Sequence, residues 1–308
     1  MRRKKMQALR RFLEKCRVPN GQPHNLVSLK GGCFNILPEQ RDEFYRLYEQ
    51  AIPCFTEQEY ECLVYRPPAR DMQPWYCDVD LRFREERPQV DTNRYCLLGS
   101  RIAEYMSKTY GHKSIEFLIV SKKKGYWKTI NGEQKFCLGA HIYFGELLFG
   151  LETSLEIRAA CVHFCGEAFS ELELDNSNDD CIDIRICKRS NGLVLPGGRK
   201  HGSSHTGAYI GRAMCRFENG ETDINEISTE QFYENFKMKP FVDFAFRQAR
   251  AVVVTVVPEQ PATGGRAVGF ADRGPKAQAI PNLVPTHKPP SLTVKTTLLE
   301  GGFNLEKF

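Results

Sequence analysis

Apolar strands interleaved with amphipathic helices predict an α/β (α+β) fold for this chain. Three observations carry that prediction. Apolar side chains recur at helical spacing in Met6, Leu9, Phe12 and Leu13, and again in Leu97, Leu98, Ile102, Tyr105 and Met106, a stripe of period 3.6 that faces a core. Between such stretches stand short apolar runs, among them Ile115–Val120 and Phe136–Phe144, which read as buried strands. A length of 308 residues can bury a core large enough for one big domain or for two modules sharing a cleft.

Taken in order, Met1–Cys16 reads as a basic amphipathic helix that Pro19-Asn20-Gly21-Gln22-Pro23 ends. Val27–Leu29 and Cys33–Leu37 are short strands broken by Gly31-Gly32, a pair suited to a tight turn or close approach to a ligand. Pro38-Glu39 opens a helix to about Gln50 with Phe44, Leu47 and Tyr48 on its buried side. Strands follow at Tyr60–Tyr65 and Trp75–Phe83, then a helix from about Asn93 to Tyr110. After the strand Ile115–Val120, Lys122-Lys123-Lys124-Gly125 reads as a turn and Phe136–Phe144 as the returning strand. Residues 151–171 look helical, Asp175–Asp180 is an acidic loop, and Cys181–Cys187 alternates as a short strand should. Residues 208–217 add a strand, Ser228-Thr229-Glu230-Gln231 is a capping box that opens a helix through Phe236, and the β-branched Val252–Val257 is the last strand. From Pro258 onward Pro, Gly, Thr and Ala dominate. The chain therefore divides into a basic helix or arm at 1–25, a folded domain at 26–257, and a linker or disordered tail at 258–308, whose end, Leu298–Phe308, regains hydrophobicity as a docking peptide or the first turn of a further element would.

The net charge of +5 is unevenly spread. In the first thirty residues Arg2, Arg3, Lys4, Lys5, Arg10, Arg11, Lys15, Arg17 and Lys30 stand against Glu14 alone, so that segment is +8 and the remainder −3. A basic arm on a near-neutral body suits a phosphate backbone or acidic partner, or simply keeps a terminus solvated. Twelve cysteines without a signal peptide point to an intracellular, reducing compartment. An organelle stays open, because Met1–Arg17 has the composition of an Arg-rich transit peptide. No apolar run approaches the roughly 20 residues of a membrane span, so no membrane is expected among its partners. Cys161-x-His163-x-Cys165 lacks paired C-x-x-C spacing, and these residues read as packing rather than as a zinc site.

The chemistry starts at Asp78-x-Asp80. Side chains two apart on a strand share a face, with Cα atoms about 6.6 Å apart. Two like charges that close raise each other's pKa unless something positive lies between them, and a divalent cation answers that need. Gly139-Ala140-His141 and Asp183 follow on apolar runs. Three carboxylates suit two Mg2+ or Mn2+ ions about 4 Å apart, the arrangement for in-line displacement at phosphorus. His141, behind two small residues, can donate a ring hydrogen to a phosphate oxygen. After Asp183 come Arg185, Lys188, Arg189, Arg199, Lys200, Arg212 and Arg216, with no acid before Phe217, and Gly192, Gly197, Gly198 and Gly202 are interleaved among them. Backbone amides and cations there can reach one phosphate together.

D-x-D, then small-x-His, then an Asp followed by a Lys-terminated glycine loop resembles the archaeo-eukaryotic primase (AEP) superfamily. The resemblance is greatest to the branch of nucleocytoplasmic large DNA virus primases and eukaryotic primase-polymerases. It runs from about Leu26 to Tyr209, and Ser28-Leu29-Lys30-Gly31-Gly32-Cys33-Phe34-Asn35-Ile36 before a helix with Phe44-Tyr45 resembles the start of those proteins. It implies two apposed modules, one similar to an RNA-recognition motif, with the catalytic cleft between them and residues 26–257 as the catalytic domain. It implies Asp78, Asp80 and Asp183 as ligands of two Mg2+ or Mn2+ ions, Gly139 and His141 against the phosphates of the incoming nucleotide, and Lys200 from the glycine loop on the same phosphates. The family usually places an arginine where Val194 stands and a small polar residue where Gly139 stands; Arg199 or Arg189 can substitute.

The activity implied is a DNA primase or primase-polymerase: template-directed nucleotidyl transfer that makes primers on single-stranded DNA from nucleoside triphosphates. The template would lie against basic grooves and stacking aromatics, for which the N-terminal arm, Lys122–Lys128 and Trp127 are candidates. A replicative helicase, in trans or on a further C-terminal domain, is the other partner implied; no G-x-x-x-x-G-K-[ST] loop occurs in the sequence. The compartment would be the nucleus, host cytoplasm or viral factory. Two other classes are compatible with the residues: a degenerate primase-like module that binds single strands or recruits a helicase, and a metal-dependent nuclease, which needs no triphosphate pocket.

Overall fold

The computed structural model describes residues 2–56, 59–66, 73–187, 192–198, 208–235, 252–253 and 295–296. Its elements run α1 (Arg2–Lys15), β1 (Arg17–Val18), β2 (Leu26–Ser28), β3 (Cys33–Phe34), α2 (Arg41–Ala51), β4 (Leu63–Tyr65), β5 (Gln73–Phe83), α3 (Thr92–Tyr110), β6 (Ser114–Lys122), β7 (Tyr126–Ile130), β8 (Glu133–Phe149), α4 (Leu151–Ala168), α5 (Asn178–Cys181), β9 (Leu193–Val194), β10 (Tyr209–Glu218), β11 (Glu221–Glu226), α6 (Thr229–Asn235), β12 (Val252–Val253) and β13 (Lys295–Thr296). Helices and predominantly antiparallel strands make it a mixed α+β chain built on two sheets.

The smaller sheet, in the order β1-β3-β2-β4-β9, is antiparallel throughout, and α1 and α2 pack against each other. Met6, Leu9, Phe12 and Leu13 of α1 are buried as their spacing predicts, and Phe12 stacks on Phe44 of α2 with ring centroids 6.2 Å apart. The turn between β2 and β3 holds Gly31 and Gly32 at φ +115° and +117°, a backbone open at little cost only to glycine. A Cβ at Gly32 would also lie 2.6 Å from Arg17 Nη1.

In the larger sheet β8 is the centre, pairing with β5 along one edge and with β6 and β7 along the other, while β6 continues to β10 and β11. One face rests on α3, which packs against β6, β8 and β10 and against α4. Asp91 caps α3 by accepting the Asn93 amide at 3.0 Å, and Gly111 ends it in the left-handed conformation at φ +76°. Ser228 and Gln231 form the expected capping box, the hydroxyl accepting the Gln231 amide at 3.1 Å and the side-chain carbonyl accepting the Ser228 amide at 2.8 Å.

The strands β7 and β11 were not expected. Asn131-Gly132 and Asn219-Gly220, all four at positive φ, close the β7–β8 and β10–β11 hairpins as Asn-Gly pairs do; β7 is short and β11 mostly polar, so neither carries a long alternating pattern. Of the expected strand at Val252–Val257, Val252–Val253 runs parallel to Leu147–Leu148; the rest lies outside the described residues. So does the tail 258–308, apart from Lys295–Thr296, which lies beside Asp223–Ile224 of β11. Among the described residues no helix is long and apolar enough to cross a membrane.

All twelve cysteines are free thiols, and all but Cys33 are buried. Cys161 and Cys165 lie on the inner side of α4 while His163 points outward, so that trio packs and does not converge.

Candidate active site

Register brings the sequence candidates together. Residues directly opposite on antiparallel strands share a face, and β5 pairs with β8 so that Asp78 faces His141 and Asp80 faces Gly139. The other face of the same strands carries Val79, Leu81, Leu138 and Ala140, all buried. Two carboxylates, an imidazole and a glycine thus occupy one patch because alternate residues of β5 and β8 are apolar and anchor the opposite face to the core.

His141 is buried and has a polar neighbour on each side. Nε2 lies 3.4 Å from Asp78 Oδ1 and Nδ1 3.2 Å from Tyr143 Oη, whose hydroxyl donates to the Val194 carbonyl at 3.5 Å. That contact joins the larger sheet to β9 of the smaller one. The Tyr209 ring stacks on the imidazole, centroids 4.6 Å apart and planes 18° from parallel. Burial, then the nearby Asp78 and Asp80 charges, pushes the Tyr209 phenol well up, and burial does the same to Tyr143, so both stay neutral hydroxyls.

Asp183 reaches the patch by a different route from the expected strand. Cys181–Cys187 is not a ladder: Ile182 makes one antiparallel bridge to Val79, the Asp183 amide donates to the Asp78 carbonyl at 3.2 Å, and Ile184–Ile186 turn as a 3-10 helix. The cause is local. Asp183 Oδ1 accepts the Arg185 amide two residues on, at 2.9 Å, a side-chain turn that competes with strand pairing. The same carboxylate holds the Arg185 guanidinium, with Nε 3.1 Å from both oxygens. Asp183 raises the Arg185 pKa, with smaller contributions from Asp78 and Asp80; one cation is within the field of all three acids. Among the described residues no three His, Cys, Asp or Glu side chains stand closely enough to hold an ion as they are, and Asp183 is turned onto Arg185.

Gly139 stands where a side chain would be crowded. A Cβ there would lie 3.1 Å from Val79 O, 3.3 Å from Asp80 Oδ1 and 3.3 Å from Lys122 Nζ. Val194 is buried in β9 and makes no polar side-chain contact, as an apolar residue must. Arg199 and Lys200, and Arg189 with them, lie outside the described residues.

The family description of the C962R protein N-terminal AEP domain matches residues 23–210, more than half of the chain. The chain belongs to the AEP superfamily. A search of curated proteins returns no match. The matched span includes every strand of the patch, β5, β8 and β6 and the start of β10, and AEP domains are primase-like nucleotidyltransferases at the level of the family.

Three residues that the fold brings to this AEP patch, or braces against it, were not placed there by the sequence, although Lys122 was among the template candidates. Lys122, assigned to a turn, ends β6 and is 1% exposed. Tyr209 opens β10. Arg158, from the middle of α4, holds the loop that delivers Asp183: its Nε and Nη2 donate to the Ile182 carbonyl at 3.1 and 2.9 Å, and Nη2 to the Asp179 carbonyl at 2.8 Å. A positively charged residue in an otherwise apolar helix segment was the available signal for the last.

Proposed function

We propose that this chain is a DNA primase or primase-polymerase that transfers nucleotides to a growing primer on a single-stranded DNA template. The observation that carries the reading is the β5–β8 register, which sets Asp78 and Asp80 opposite His141 and Gly139 with Asp183 bonded alongside Asp78. An all-oxygen set of three carboxylates, with no thiolate among them, suits Mg2+ or Mn2+, and the glycine opposite Asp80 keeps a side chain from crowding the Asp80 carboxylate. Asp78, Asp80 and Asp183 would hold two such ions, which when bound activate the attacking hydroxyl and neutralise the leaving pyrophosphate.

The chain's own residues do the remaining work. Tyr143 and Tyr209 fix the His141 ring: the Tyr143 hydroxyl, whose proton goes to Val194 O, accepts from Nδ1–H, so Nε2 faces the phosphate position beside Asp78 and would donate to it as the imidazolium. Arg185 compensates the acids in the absence of cations and must leave Asp183 for an ion to bind there. Gly139, with Arg199 and Lys200 from the glycine loop, would border the phosphates. For the template, β7 splits its candidates: Lys128 is on the acidic face with Tyr126, whereas Trp127 lies opposite Phe136 on the other face. Lys128 therefore suits the phosphate backbone near the site and the exposed Trp127 a base stacked farther off, while the exposed basic side of α1 offers further phosphate contacts. Twelve unpaired cysteines, with Cys96 and Cys215 sulfurs 3.8 Å apart and not bonded, favour a reducing compartment. A replicative helicase would be its working partner.

The pairing of Asp183 with Arg185 favours one other reading, a primase-like module that binds nucleic acid without catalysis. Primer synthesis on single-stranded DNA with each type of nucleoside triphosphate separates the two. Asp78→Ala and Asp80→Ala should each abolish incorporation while template binding persists; comparable incorporation by either variant with Mn2+ would overturn the assignment.

A further inference from the structure

Lys122 is a charged residue in a place that ordinarily excludes one. Its strand pairs Val120 with His141 and Lys122 with Tyr209, so side-chain alternation directs Lys122 to the acidic face, one row from His141 and level with Gly139. It is 1% exposed. Its ammonium donates to Tyr126 Oη at 3.3 Å, stands 4.4 Å from the centre of the Tyr126 ring and lies 5.7 Å from that of Tyr209. Among the described residues no carboxylate is within 4 Å of it. Two rings and a neutral hydroxyl offset only part of the cost of burying an ammonium, which calls for an anion. Gly139 marks where one approaches: a Cβ there would be 3.3 Å from both Lys122 Nζ and Asp80 Oδ1 and 3.1 Å from Val79 O, closer than side-chain carbons ordinarily pack, so a glycine keeps the ammonium and the carboxylate open to an anion above it. An anion there touches the ammonium on one side and needs a cation between itself and Asp80 on the other.

We propose that Lys122 binds the triphosphate of the incoming nucleotide beside Gly139, a phosphate oxygen replacing Tyr126 Oη as its acceptor. This rests on the nucleotidyl-transfer reading and adds a residue to it. The ammonium supplies a fixed positive charge next to the metal-binding acids, and the glycine is what allows a lysine from the neighbouring strand to serve β8.

The test compares wild type, Lys122→Met, Lys122→Arg and Gly139→Ala by titration with dATP or ATP in Mg2+, with inorganic tripolyphosphate as competitor and with Mn2+ alone. Lys122→Met should bind nucleotide about tenfold or more weakly, from the loss of a charge-assisted contact, and raise KM more than it lowers kcat. It should lose competition by tripolyphosphate and keep its Mn2+ affinity. Lys122→Arg should recover part of the affinity, and Gly139→Ala should weaken binding because its methyl crowds the ammonium and Asp80. Removing a buried charge should leave thermal stability equal or higher; if Lys122→Met nevertheless fails to fold, Lys122→Arg and Gly139→Ala carry the comparison. Wild-type nucleotide affinity in folded Lys122→Met, or in Gly139→Ala if the lysine variant does not fold, overturns the role of Lys122 alone. A wild type that binds Mn2+ but no nucleotide overturns the functional reading and this assignment with it.

Discussion

Arg158→Met tests whether the third acid is placed by a residue far from the chemistry. Arg158 is 9% exposed and gives charged hydrogen bonds to two backbone carbonyls, Ile182 O and Asp179 O. Each such bond contributes about 1.5–3 kcal/mol. The further pair with the Asp179 carboxylate at 2.9 Å involves a side chain that is 70% exposed, so it adds less than about 1 kcal/mol. Methionine keeps the apolar stem and loses every donor. Taking Ile182 O and Asp179 O as partly rehydrated when the loop opens, the loss is on the order of 3 kcal/mol, or about a hundredfold in the opening equilibrium of residues 179–183. Hydrogen exchange reads this directly, because the Asp183 amide is bonded to Asp78 O. Its exchange should speed up by about that factor, with incorporation falling in parallel while Asp78 and Asp80 stay in place on β5. Arg158→Lys should rescue little, since one ammonium cannot span both carbonyls as the guanidinium does. Unchanged protection of the Asp183 amide in folded Arg158→Met would refute the reasoning, whatever the activity.

Two further outcomes follow from the scaffold. Asn25 ties the smaller sheet together, its side chain donating to Ile36 O at 2.7 Å and accepting the Ile36 amide at 2.9 Å; Asn25→Ala should cost about 1–2 kcal/mol in urea unfolding, and an unchanged midpoint would refute that role. The hydrogen bonds of Lys135 and Arg84 to Asp175, at 2.6 and 2.8 Å, hold its carboxyl below the usual range. A pKa depressed on folding stabilises above the unfolded value, about pH 4, and the contribution is lost as pH falls through the folded value. Asp175→Asn should therefore be less stable than wild type at neutral pH and converge with it in acid; a constant difference across that window would count against the pairing.

Much of the site was legible because it obeys strand periodicity. Asp78 and Asp80 were expected on one face, and β5 puts them there. His141 was expected behind two small residues on a strand, and β8 sets the first of them, Gly139, opposite Asp80. Asp183 was found by its type and position but with the wrong local structure, since its side chain bonds to the Arg185 amide and replaces a strand with a turn. Lys122 was misread because three consecutive lysines after an apolar run look the same whether the first is solvated or is the last inward residue of a longer strand. Burial of that side chain depends on Tyr126 and Tyr209, 4 and 87 positions away in the chain.

The sequence by itself determined the α+β composition, the amphipathic helices, the order of the acidic and histidine signals, and membership of a primase-like superfamily. These depend on residue type and on spacing within one element, which neighbouring positions record. Only the tertiary structure decided that Asp78 faces His141, that Arg158 carries Asp183 to them, and that an ammonium from β6 stands at Gly139. Those are distances between separate elements, set by sheet register and by the burial of the opposite face, and no local pattern contains them.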